Sequence, residues 1–171
     1  MILGAQLRRV LLVLHVGTSV AALGAIAAFL ALSIVGVTSR DPQLLLAVYL
    51  SNDIIARVLI VPMIFASLLV GVVQSLGTQW GLFRHWWIVA KLALNIVIAA
   101  VLLVQMPGIH LVAETAASGQ PIADLFGVRM SFVIHSGAGL LALVIPLILS
   151  IYKPRGLTRF GWRKQYELDG H

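Results

Sequence analysis

Four stretches of this chain, Val10–Ser39, Val58–Phe83, Leu92–Val112 and Met130–Tyr152, contain no Asp, Glu, Lys or Arg. A helix rises about 1.5 Å per residue, so roughly 20 apolar residues cross a hydrocarbon core about 30 Å thick, and every stretch is long enough. Lipid offers the backbone no hydrogen-bond partners, so segments of this kind satisfy their own N–H and C=O groups by becoming helices. The pattern predicts an all-α fold, a bundle of four transmembrane helices over residues 9–37, 46–76, 86–106 and 127–152, forming one membrane domain over 1–171 with a tail at 153–171. Turns are expected at residues 38–42 and 77–81, and a longer loop from Pro107 to Gly127.

Composition closes off the soluble alternative. The chain is 60% hydrophobic and 11% charged, with a mean hydropathy of +1.02, against roughly 25% charged residues in soluble domains. A water-soluble fold of 171 residues could not cover that much apolar surface. Arg8 and Arg9 before an apolar stretch look superficially like a signal peptide, but the stretch far exceeds the about 7–15 apolar residues of a signal. It reads as a retained first helix.

The net charge of +6 would suggest nucleic acid as the partner of a soluble protein. Here the basic residues sit at the ends of apolar runs, which makes the lipid bilayer and its anionic headgroups the expected partner and excludes nucleic acid. Nine basic residues fall on the side that carries both termini and three, Arg40, Arg57 and Arg129, on the other. The positive-inside bias then places both termini in the cytoplasm of a multi-pass protein of the inner (plasma) membrane. Trp80, Trp86, Trp87, Tyr152 and Trp162 cluster on the cytoplasmic side as an interfacial belt.

With no cysteine, disulfides, iron–sulfur clusters and c-type haem attachment are excluded, and any metal or haem would need His, Met or oxygen ligands. No GxSxG, Walker loop, HExxH or dinucleotide glycine fingerprint is present, so hydrolase, NTPase and dehydrogenase classes have no support.

What remains is the polar residues inside apolar helices, where each ionisable group is costly enough to suggest a role. His15 and His135 enter the membrane from opposite sides and should differ in height by roughly 15 Å, too far for one bis-histidine haem b. His15 with His85, or His135 with His110, are the remaining cofactor-binding pairs. Ser131 and Gly139 share the face of His135 at i−4 and i+4, leaving room beside the ring for a flat ligand, although the same glycine equally serves helix packing. His15, followed by Thr18 and Ser19, reads as interhelical glue.

Asp53 and Arg57, four apart, can pair on one face. Together with Arg129, Ser131 and His135 they form a candidate ligand pocket opening outward, suited to an anion or a quinone headgroup; the alternative is a set of interfacial charges snorkelling to water. Lys91 and Asn95 pose the same choice at the other end. Pro62 and Pro146 are expected to bend their helices, and Gly17, Ala21 and Ala25 are expected to pack the first helix against Gly137 and Gly139 of the fourth.

The segments His15–Gly17 through Ala28–Leu30, Gln74–Trp87, His135–Gly139 and Tyr152–Thr158 resemble a family of small bacterial four-helix membrane proteins, the DUF2269-like group. The resemblance spans nearly the whole chain and implies the same fold and topology, without an activity. The Leu14-His15 start of helix one, with the small residues after it, is also similar to cytochrome b561-like and copper-resistance-type bundles. The function these readings favour is a small haem- or quinone-associated redox or ligand-binding protein, with haem b as the cofactor. The alternatives are a dimeric solute transporter or an accessory subunit of a larger membrane complex.

Overall fold

The computed structural model describes residues 4–78, 81–152, 156–159 and 161–163. The chain is an all-α bundle of four helices long and apolar enough to cross a membrane: Ala5–Thr38, Pro42–Leu76, Trp86–Ala117 and Ala123–Ser150. They comprise α1 (Ala5–Thr38), α2 (Pro42–Ile54), α3 (Val61–Leu76), α4 (Trp86–Ala117) and α5 (Phe126–Tyr152), with a π-helical segment, Ile55–Ile60, joining α2 to α3 without a break. Trp80, Lys153, Arg155, Lys164 and most of the 153–171 tail lie outside the described residues.

Short connections make successive spans antiparallel. Asp41 caps α2 by accepting a hydrogen bond from Gln43 N at 3.0 Å, and Pro42 supplies the preset backbone angle of a first helical residue. Gly119 turns the chain after α4 with φ +69°, a left-handed angle that glycine adopts without strain. At the other end, His85 pairs with Leu157 as an antiparallel bridge, and Thr158 donates from Oγ1 to Phe83 O at 2.5 Å, tying the segment after α5 to the start of α4. The end that holds Arg8, Arg84 and Lys91 is called the basic end below, and its opposite the distal end.

Helix α1 packs against α3 and α5, α2 against α4, and α4 against α5. The shared core is Ala22, Ile26 and Phe29 of α1 with Ile60, Ile64, Ile109 and Phe132. Phe29 and Phe132 meet edge to face, with centroids 6.1 Å apart. Outward-facing side chains are equally apolar: Val104, Leu141 and Val13 are 77%, 74% and 70% exposed. That is normal where lipid replaces water as the surrounding medium.

Two details differ from the sequence reading. The expected loop from Pro107 is helix as far as Ala117, with Pro107 inside α4. At about 1.5 Å per residue the first three spans run near 50 Å, so they overrun a hydrocarbon core of about 30 Å. A rule based on core thickness stops too soon. Helices α1 and α5 do pack, but not through the expected glycines: Gly17 and Ala21 are exposed, and a Cβ added at Gly17, Gly137 or Gly139 would meet nothing within 4 Å. Buried Ala25 and Phe29 lie on the inward face instead. Near Pro62, which lacks the N–H for an interior helical bond, the wide turn over Ile55–Ile60 precedes the proline and lets the span run on.

Candidate functional site

The polar residues inside the bundle sort into four separate groups. Near the basic end, His15 Nδ1 lies 3.0 Å from Ser67 O, and Ser19 Oγ lies 2.7 Å from Ser67 Oγ. The ring packs onto the bare backbone of Gly71, where an added Cβ would come within 2.9 Å of His15 Cε1. This is an α1–α3 lock, with the ring seated on the glycine. His85 is drawn elsewhere, with its backbone bridged to Leu157 and its ring centroid 6.3 Å from that of Trp87. Lys91 donates to Ser150 Oγ at 2.9 Å and lies 4.8 Å from the Trp87 ring centre, while Asn95 donates back to Lys91 O at 2.8 Å. Lys91 and Asn95 therefore tie α4 to α5 and to its own turn.

At the distal end Arg129 is 7% exposed and faces no carboxylate among the described residues. Its Nε donates to Tyr49 Oη at 2.6 Å, Nη2 to Gly36 O at 2.5 Å and Nη1 to Ile122 O at 3.4 Å, joining α5 to α1, α2 and the last connection. Gly36 is required for this approach, since a Cβ there would strike the Tyr49 ring. Beside it, buried Asn52 donates to Ser33 Oγ at 3.0 Å.

Asp53 and Arg57 pair at 3.0 Å, but Arg129 is not their neighbour. His110, expected in a loop, sits on α4 with Nδ1 3.8 Å from Asp53 Oδ1 and Nε2 3.0 Å from Glu114 Oε1. The half-exposed chain Arg57–Asp53–His110–Glu114 is an interfacial charge network. The single outward pocket expected from Asp53, Arg57, Arg129, Ser131 and His135 is thus divided. Helical overrun is the reason, because it carries α2 and the end of α4 alongside one another and gives Asp53 a nearer partner in His110.

The fourth group borders empty space. His135 Nδ1 lies 2.7 Å from Ser131 O and 2.9 Å from Gln105 Nε2, and the Gln105 amide also reaches Ser131 Oγ at 3.0 Å. Below this trio opens an apolar cavity of about 200 Å³, walled by residues of all four spans, including Phe29, Ile64, Val101, Phe132 and Gly139, and polar only at Gln105, His135 and Ser136. The missing side chain at Gly139 is part of what makes the space, since a Cβ there touches nothing. His135 is the one of the four expected histidines on the cavity wall; its side chain is exposed, and among the described residues its Nε2 has no hydrogen-bond partner. Neither histidine pair expected for haem b forms: His135 meets Gln105 where His110 meets Asp53 and Glu114. Among the described residues no three His, Asp or Glu side chains are grouped to hold a metal ion.

Gln105 was not singled out by the sequence reading. The signal was present, because it is one of two carboxamides, with Asn95, inside the charge-free stretch Leu92–Val112, and polar groups at that depth are costly. Tyr49 and Ser67 gave no comparable signal, as their roles depend on which helix faces them. Comparison of the chain with protein-family models, with curated proteins and with solved structures finds no match.

Proposed function

We propose that this protein is a multi-pass protein of the inner membrane that holds a lipid-soluble, single-ring compound of the quinone class in the cavity at His135. The observation that carries this reading is the unpartnered Nε2 of His135 beside that cavity. His135 follows Arg129 by six residues, so it sits roughly 9 Å deeper than the distal charges. At such depth lipid supplies no hydrogen-bond partner, so a polar atom left unpaired there is costly even where the side chain borders lipid. A ligand with one polar substituent and an otherwise apolar body removes that cost and fits walls that are apolar except at one end.

Size narrows the ligand. Pockets for drug-sized ligands run from roughly 300 Å³ upward, so about 200 Å³ suits one substituted ring and is too small for a porphyrin. The quinone reading therefore gains over haem b. Extraction of purified protein followed by mass analysis should recover a prenylated ring compound, and a photoreactive quinone should label α4 or α5 at the cavity. Labelling spread evenly over the chain would defeat the proposal.

The excess of basic residues at the end carrying Arg8, Arg84 and Lys91 supports a cytoplasmic basic end. Single cysteines placed at Gln120 and Arg159 test it: an impermeant thiol reagent added to intact cells should modify the first alone, and the opposite pattern reverses the orientation.

A further inference from the structure

The hydrogen bonds around His135 also specify which form of ring ligand it takes, a conclusion that rests on the quinone-class reading above. The Ser131 carbonyl can only accept, so at 2.7 Å from His135 Nδ1 it requires a hydrogen on that nitrogen; two lone pairs at that distance would repel. Gln105 reaches the same nitrogen at 2.9 Å and must then accept from it as well. A half-turn of the terminal carboxamide exchanges oxygen and nitrogen in place. With oxygen turned inward, Gln105 accepts from His135 Nδ1–H, while the single hydrogen of Ser131 Oγ stays on Val128 O at 2.7 Å and the 3.0 Å contact between Gln105 and Ser131 Oγ carries no hydrogen. The arrangement satisfies both contacts of His135 Nδ1, at 2.7 and 2.9 Å.

Two consequences reach the cavity. A neutral imidazole carrying its proton on Nδ1 has a bare lone pair on Nε2, and the Gln105 NH₂ becomes free to donate. We propose that His135 Nε2 accepts a hydrogen bond from a ligand hydroxyl, so that the site selects the hydroxylated ring, a quinol or phenol, over the corresponding quinone. A quinone offers only carbonyl oxygens. Facing Nε2 it would set one lone pair against another, and it would gain its hydrogen bond from Gln105 alone.

Duroquinol and duroquinone are single rings with identical methyl substituents, so a preference between them reports the hydroxyl. In lipid nanodiscs containing the full chain, with excess reductant to keep the quinol reduced, duroquinol should bind about tenfold tighter than duroquinone, the worth of one net hydrogen bond. In ¹⁵N-histidine spectra, the signals absent from the His135→Ala protein should show Nδ1 protonated and Nε2 bare. Equal or tighter binding of duroquinone, or a proton on Nε2, overturns the inference while leaving a quinone-class site intact. If neither ring binds, the proposed function falls with it.

Discussion

His15 and His135 each lie six residues inside a basic residue, Arg9 and Arg129, from opposite ends of the bundle, yet the bundle treats them differently. His15 reaches across to another helix, Ser67 O on α3, and its ring fills the gap left by Gly71. His135 leans on its own helix at Ser131 O and on Gln105, with Gly139 one turn on leaving space empty. A histidine beside a small residue is thus either a lock or a doorway, and the deciding quantity is whether the space above the glycine is filled. Arg129 belongs with His15: although charged, it is enclosed by protein acceptors.

The contrast can be broken by substitution. Arg129→Met should be the most damaging change, since it strands Tyr49 Oη and Gly36 O, and each buried group left unpaired costs about 1–3 kcal/mol. A large drop in melting temperature in detergent is expected, and an unchanged one would mean that the arginine is solvated rather than enclosed. Gly71→Ala comes next, costing about 1–3 kcal/mol by overpacking against the His15 ring. Gly139→Ala should be silent in the same melt, because its Cβ enters open space. Equal effects at the two glycines would erase the distinction between the histidines.

Replacing the histidines themselves sharpens the point. His15→Ala removes an interhelical bond of the kind worth about 0.6 kcal/mol in membranes, while His135→Ala should leave stability within error and abolish ring-ligand binding. A smaller stability effect than that of His15→Ala belongs to the distal charge network. Asp53→Asn and Arg57→Gln disrupt a half-exposed i,i+4 pair worth about 0.3–0.5 kcal/mol. Their double-mutant cycle should show a coupling of that size, and strict additivity would mean that the 3.0 Å pair carries no energy.

The four spans were legible because an absence of charge over some 20 residues is a thermodynamic demand that only helices meet. The pairing of Asp53 with Arg57 followed from helix geometry in the same way. The faces on which helices meet did not. These helices are apolar all round, and lipid is as apolar as a protein core, so periodicity carries no mark of inside and outside. That is why Gly17 and Ala21 were assigned to an interface they do not occupy, and why Gln105 became visible as a site residue only once α4 lay beside α5. The Arg129–Tyr49 contact was hidden for a further reason: it joins side chains 80 residues apart on different helices.

The central claim is that the space at Gly139 is a binding site, and filling that space tests it most directly. Gly139→Leu places a side chain in the cavity, while Gly17→Leu adds the same bulk to an exposed face of α1. Duroquinol binding by calorimetry in nanodiscs should weaken by at least about tenfold in Gly139→Leu, equivalent to about 1.4 kcal/mol, and stay unchanged in Gly17→Leu, with both proteins folded by thermal melt. Equal affinity in all three proteins would contradict the account.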